Sequence, residues 1–103
     1  MVRKAMPMTL RKGLADVGRG LSEWRRLLGL SVAQLALQAE VSESTVARIE
    51  NGQGASLENV LRVARAMGVL DRVLQGFDPW EDDRGKMLIS AHLPKRAERR
   101  TGQ

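Results

Sequence analysis

The chain has no cysteine and no tyrosine, and only one phenylalanine, two tryptophans, three prolines and a single histidine. Without cysteine there is no disulfide scaffold and no thiolate zinc site, and the composition suits a reducing compartment. With so few aromatics, any core must rest on Leu, Val, Ala, Ile and Met. No apolar run approaches the ~20 residues that a membrane-spanning helix needs. The basic N-terminus is followed by no apolar stretch, so no secretory signal is expected either. His92 stands in a polar segment with no fixed carboxylate partner in view. Glu81, Asp82 and Asp83 are adjacent and lack an ordered ligand loop, so they read as a solvated charge run rather than a cation site. Gly52 and Gly54 are too close together, and follow a helix rather than a strand, to cradle a phosphate. An enzyme is therefore not expected, and neither a metal nor a cofactor.

What is present is a chain of 103 residues, 43% hydrophobic, with a net charge of +5. That length is one domain's worth. The charge is unevenly placed. Residues 14–77 are neutral, their arginines matched by as many Asp and Glu. Arg3, Lys4, Arg11 and Lys12 stand at the start without any acid, and Lys95, Arg96, Arg99 and Arg100 cluster near the end. Basic tails attract polyanions, nucleic acid first; equally, they solubilise.

Helical periodicity dominates from about residue 14 to 76. Leu21, Trp24, Leu27 and Leu28 recur on one helical face, and Gly29 is a natural stop. Ser31-Val32-Ala33-Gln34 has the spacing of a capping box, in which two orphan amides are satisfied reciprocally, and opens a helix through Leu35, Ala36 and Ala39. Ser42 caps the next helix, which closes at Asn51-Gly52. Ser56 caps a fourth, with Leu57, Val60, Leu61, Val63 and Ala64 as its stripe and Gly68 at its end. A fifth runs from about Val69 to Gln75. The expectation is an all-α, five-helix domain over residues 14–76. Residues 1–13 are expected to form a flexible basic arm, with at most a helical turn or two from Thr9. Residues 77–103 are expected to be a largely extended or disordered tail, with Phe77 and Trp80 either packed in the core or anchoring another chain.

The second and third helices carry the functional signal. The turn between them is short, Ala36 is small enough for a close crossing, and Val41, Val46 and Ile49 face inward. Glu43, Ser44, Thr45, Ala47 and Arg48 are left outside. A helix-turn-helix that presents its second helix to the DNA major groove has this arrangement. Residues from about Leu21 to Leu74 resemble the XRE/Cro-type helix-turn-helix family, the five-helix fold of phage repressors. The residues that carry the likeness are Leu21 to Arg25, "LSVAQLA" at 30–36, "VSESTVARIENG" at 41–52 and "SLENVLRVARAMGV" at 56–69.

The resemblance implies a set of roles. Arg25 and Glu50 form an internal ion pair that braces the fold. Ser42 sits near a phosphate at the start of the recognition helix. Ser44, Thr45 and Arg48 enter the groove, and Arg48 is the foremost base reader, because a guanidinium bonds bidentately to guanine. Glu43 either accepts from a cytosine amino group or repels phosphates. Asn51 and Gln53 are phosphate donors. The family commonly has a polar residue where this chain has Val32, a loss that Gln34 partly replaces. It also commonly has glycine in the turn, where this chain has Glu40, at a cost of ~1–2 kcal/mol if the backbone is left-handed there.

The implied function is a sequence-specific DNA-binding repressor, a cytoplasmic, nucleoid-associated homodimer on the inverted repeat of a double-stranded operator. The single small domain and the basic run "LPKRAERR" at 93–100 are similar to HipB-type antitoxins, which repress their own operon and bind a HipA-like kinase toxin. The alternatives are a stand-alone or phage-derived regulator, or a helix-turn-helix that mainly binds protein.

Overall fold

The computed structural model describes residues 5–92. Among them there is no strand. The helices are α1 (Met8–Leu27), α2 (Val32–Ala39), α3 (Glu43–Glu50), α4 (Leu57–Ala66), α5 (Leu70–Gly76), a single 3-10 turn at Pro79–Glu81, and α6 (Asp83–His92). The chain divides into two compact units, residues 1–70 and 71–103. The basic residues Arg3 and Lys4 and the run at 93–100 lie outside the described residues. No described helix is long and apolar enough to cross a membrane.

The first unit is all-α and contains α2 and α3, the helix-turn-helix expected from sequence. Its core is built by Leu35, Ala36 and Ala39 from α2, Val46 and Ile49 from α3, and Val63 and Ala64 from α4, with Met67 and Val69 beyond. Serine opens three of its helices as the sequence predicts. The Ser31 hydroxyl accepts from the Gln34 amide at 3.0 Å while the Gln34 side chain accepts from the Ser31 amide at 2.8 Å. Ser42 and Ser56 accept from the amides of Thr45 and Asn59. Each such cap is worth ~1 kcal/mol against alanine.

The same backbone device closes α1 to α4. In each, two successive amides beyond the last turn bond back to carbonyls on the helix, as with Gly29 to Arg26 and Leu30 to Arg25, or Glu40 to Leu37 and Val41 to Ala36. This closure requires a left-handed residue. Glycine supplies it at positions 29, 52 and 68, whereas α2 uses Glu40 at φ 59°.

Several expectations are corrected. The flexible arm expected over residues 1–13 gives way to helix from Met8, and α1 runs unbroken through Gly13, Gly18 and Gly20. Gly18 explains part of this. It is buried where α1 crosses the end of α3, and a Cβ there would collide with the carbonyl oxygen of Ile49 and lie 2.6 Å from that of Glu50. The glycine that weakens the helix locally is what lets it dock.

The sequence places Leu21, Trp24, Leu27 and Leu28 on one face of α1. Of these, Leu27 is 81% exposed and Leu28 47%, while Leu21, in line with Gly18 and Arg25 where α1 meets α3, is half-buried.

Residues 77–103 were expected to be largely extended or disordered, yet residues 79–81 and 83–92 are helical; residues 93–103 lie outside the described residues. The cause is local. Asp82, in the supposed charge run, accepts from the Gly85 amide through its side chain at 2.9 Å and from the Lys86 amide through its carbonyl. Asp78 likewise accepts from the Trp80 amide at 3.0 Å. Gly85 lies so close to Pro79 that a Cβ would fall 2.8 Å from the Pro79 carbonyl carbon. Phe77 is not core: it is 87% exposed.

Candidate nucleic-acid interface

The candidate surface begins with how α3 is held. Val46 and Ile49 are buried, which fixes the inner face of an eight-residue helix that would be unstable alone. The far end is fixed by charge. Arg25 Nε donates to Glu50 Oε2 at 2.7 Å and its Nη2 donates to Oε1 at 3.1 Å, a bidentate fork, while Nη1 donates to the carbonyl of Leu30 at 2.9 Å. The two side chains are only 11% and 13% exposed. The bond to Glu50 raises the Arg25 pKa above its ordinary value against the opposing effect of burial. One side chain thus ties the end of α3 to α1 and to the α1–α2 turn.

What α3 shows to solvent is polar. Glu43, Ser44 and Arg48 are exposed, and Thr45 and Ala47 are half-buried. At the N-terminus the hydroxyls converge on Ser42. Its Oγ lies 3.0 Å from Ser44 Oγ and 2.8 Å from Thr45 Oγ1, besides accepting from the Thr45 amide. Both hydroxyls that the family likeness sends to the groove are therefore partnered within the cap. The Arg48 guanidinium reaches the carbonyl of Gln53 only at 3.4 Å, an exposed and long contact that holds it weakly. Glu43 in the first turn and Arg48 in the last also have the signs that favour the helix macrodipole.

The remaining candidates flank this helix. Asn51 caps its C-terminal end and Gln53 follows, both exposed. Gln34 lies on α2 with its carbonyl oxygen committed to the capping box. Val32 is the first residue of α2 and is half-buried. The carboxylate of Glu40 lies 3.4 Å from Arg62, at the back of the turn.

Gly18 is the residue that sequence reasoning passed over. Its signal was a glycine inside an otherwise periodic helical stretch, but the helix it must approach is thirty or so residues away in the chain.

A helix-turn-helix family model matches residues 21–72, half of the chain. It takes in the end of α1, all of α2, α3 and α4, and the start of α5; the α1 turns before Leu21 lie outside it. No curated protein and no solved structure matches the chain.

Proposed function

Because the chain belongs to the XRE-type helix-turn-helix family, a family of DNA-binding regulators, we propose that it is a transcriptional repressor that binds an inverted-repeat operator as a homodimer. The observation that carries this reading is the mounting of α3. Its inner face is sealed by Val46 and Ile49, its end is clamped by the Arg25 fork, and its outer face offers Glu43, Ser44 and a loosely held Arg48. A helix fixed in this way delivers side chains to a groove without first having to be ordered.

In the complex, the Ser42 end of α3 lies against a phosphate and Asn51 and Gln53 hold the backbone beyond the helix. Gln34 reaches the backbone from α2 through its amide NH2. Arg48 leaves the Gln53 carbonyl and reads guanine bidentately, worth ~1–3 kcal/mol of discrimination. Ser44 and Thr45 exchange their bonds within the cap for base or phosphate contacts, and Glu43 accepts from a cytosine amino group. Two copies place α3 in successive major grooves, with half-sites about 34–36 Å apart. Repression follows from covering the promoter.

Within this family, the proposed subtype is the autoregulating antitoxin of a HipBA-like operon, partnered by a HipA-like kinase toxin. Its support is the small domain and the basic run at 93–100. A stand-alone regulator is the alternative, and an adjacent gene for a kinase-like protein separates the two.

The test is a footprint on the DNA upstream of the protein's own gene at two salt concentrations, since phosphate contacts weaken steeply with salt. Two protected half-sites one helical turn apart, lost in Arg48→Ala with helicity intact, are expected. Salt-sensitive coating of any DNA, or no protection, would count against sequence-specific repression.

A further inference from the structure

Helix α1, whose first turns lie outside the family match, carries a surface that α3 does not explain. Leu10, Gly13, Val17, Gly20, Trp24 and Leu27 recur at alternating spacings of three and four, which puts them on one stripe of the helix. The stripe looks outward. Leu10 is 52% exposed, Val17 51%, Trp24 36% and Leu27 81%. The residues that meet α3, Gly18 and Arg25, lie about a quarter-turn round the helix from Val17.

The two glycines of the stripe contrast with Gly18. A Cβ at Gly18 would collide with α3, so the chain itself requires glycine there; a Cβ at Gly13 or at Gly20 would meet nothing within 4 Å. Glycine is the poorest helix former after proline. Nothing in the described residues offsets its use at these two places. Small residues flanked by Leu, Val and Trp are what a second helix needs in order to approach closely, its knobs seated in the gaps.

The charged flank identifies the occupant. Beside the stripe run Lys12, Asp16, Arg19 and Glu23, plus, minus, plus, minus. Within the chain Asp16 pairs with Lys12 at 3.4 Å and with Arg19 at 2.9 Å. Reversed end to end, the same row reads minus, plus, minus, plus. A second copy of α1 laid antiparallel therefore sets Lys12 beside Glu23 and Asp16 beside Arg19 of the other copy, twice over by symmetry. In a parallel pair this row lies beside the opposite flank of the second copy, so it meets its own complement only in the antiparallel arrangement. In the antiparallel arrangement Val17 lies beside Val17 of the second copy, and Leu10 beside its Trp24.

We propose that α1 is a self-association surface, on which two copies of this chain pair antiparallel along the Leu10-to-Leu27 stripe. This rests on the homodimer in the reading above and gives it an interface. One helix of 20 residues is ~30 Å long, and pairing along it covers less than the ~800 Å² per partner of a standard complex. The free dimer is accordingly weak, with dissociation in the micromolar range, and gains from being tethered on one operator.

The test is sedimentation equilibrium of the full chain without DNA, alongside the footprint. Wild type is expected to show a monomer–dimer equilibrium in the micromolar range. Val17→Glu should weaken it at least tenfold with helicity unchanged. The Gly13→Ala, Gly20→Ala double variant should melt at a higher temperature, because alanine favours the helix, and yet dimerise at least tenfold more weakly, because two Cβ atoms enter the interface. Lys12→Glu should weaken dimerisation, and adding Glu23→Lys should restore it. A chain that stays monomeric to millimolar concentration overturns the proposal, as does a dimer indifferent to Val17→Glu. A monomer that still protects half-sites leaves the DNA reading standing without this surface. A stripe-dependent dimer that protects no DNA leaves the surface standing without the repressor.

Discussion

The two units of this chain are both helical, and among the described residues only the first has fully buried side chains. Leu35, Val46 and Val63 in the first are at most 1% exposed, whereas α5, the 3-10 turn and α6 bury no residue at all. The second unit is shaped by local devices: Asp78 and Asp82 capping the turns that follow them, and Gly85 allowing Pro79 close. The first has the same kind of caps and adds a core and a clamped ion pair. Caps decide where a helix starts; burial decides what it costs to lose it. The candidate recognition helix belongs to the costly part, as a reader of base edges must, because the position of its side chains carries the specificity.

The contrast is broken most sharply at the ion pair. Arg25→Ala leaves Glu50 buried without its fork and the Leu30 carbonyl without its donor. Removing one partner of such a pair costs about 3–5 kcal/mol. The expected result in urea denaturation is a first unit near or past its stability limit. Removing Glu50 as well should recover part of the loss, since no charge is then stranded. If Arg25→Ala were as stable as wild type, α3 would not be clamped as described, and its precision would need another source.

A gentler comparison sets Leu35 against Leu88. Leu35→Ala empties a site that is fully buried and should cost about 2–5 kcal/mol. Leu88 is 45% exposed, and truncating it should stay within ~0.5 kcal/mol. Hydrogen exchange sharpens the same point: amides of α2 to α4 should open only with global unfolding, and those of α6 through low-energy local opening. A Leu88→Ala loss as large as that of Leu35→Ala would mean that the second unit buries its apolar side chains against something.

Much of the first unit was legible from sequence, for a physical reason. A serine cap acts on amides two or three residues away, so Ser31, Ser42 and Ser56 announce their helices within a window that can be read by eye. The inner residues Leu35, Val46, Ile49 and Val63 follow from periodicity in the same way. The geometry of the Arg25 pair did not follow from pattern; it entered through the family likeness, because the partners are far apart in the chain. What was misread depended on tertiary contact or on context. Gly18 was passed over because only α3 explains it. The α1 periodicity marked a face but not the direction in which it points. Asp82 is exposed, as the charge run implied, but its bond to the Gly85 amide was not legible, because capping depends on the local backbone. Of the candidate interface, the outward face of α3 was legible, while the gathering of Ser44 and Thr45 onto Ser42 was not, since it depends on rotamers.

The smallest expected effect concerns one residue and separates propensity from packing within the stable unit. Four helices close with the same pair of backbone bonds, and three of them use glycine at the left-handed position. At α2 Glu40 takes φ 59° and ψ 44°, where a Cβ crowds the following carbonyl. Its side chain returns little, because the contact with Arg62 is 3.4 Å long, with the Glu40 side chain 80% exposed, and exposed pairs of this kind are worth little. Arg62 also keeps Glu58 at 2.9 Å. Glu40→Gly should therefore stabilise the domain by about 1 kcal/mol, the strain relieved less the entropy that glycine adds to the unfolded chain. A raised urea midpoint with an unchanged slope would show that the α2–α3 turn carries strain at a single residue. An unchanged or lowered midpoint would mean that the Glu40–Arg62 contact offsets the strain, and would make that contact a strut behind the α2–α3 turn.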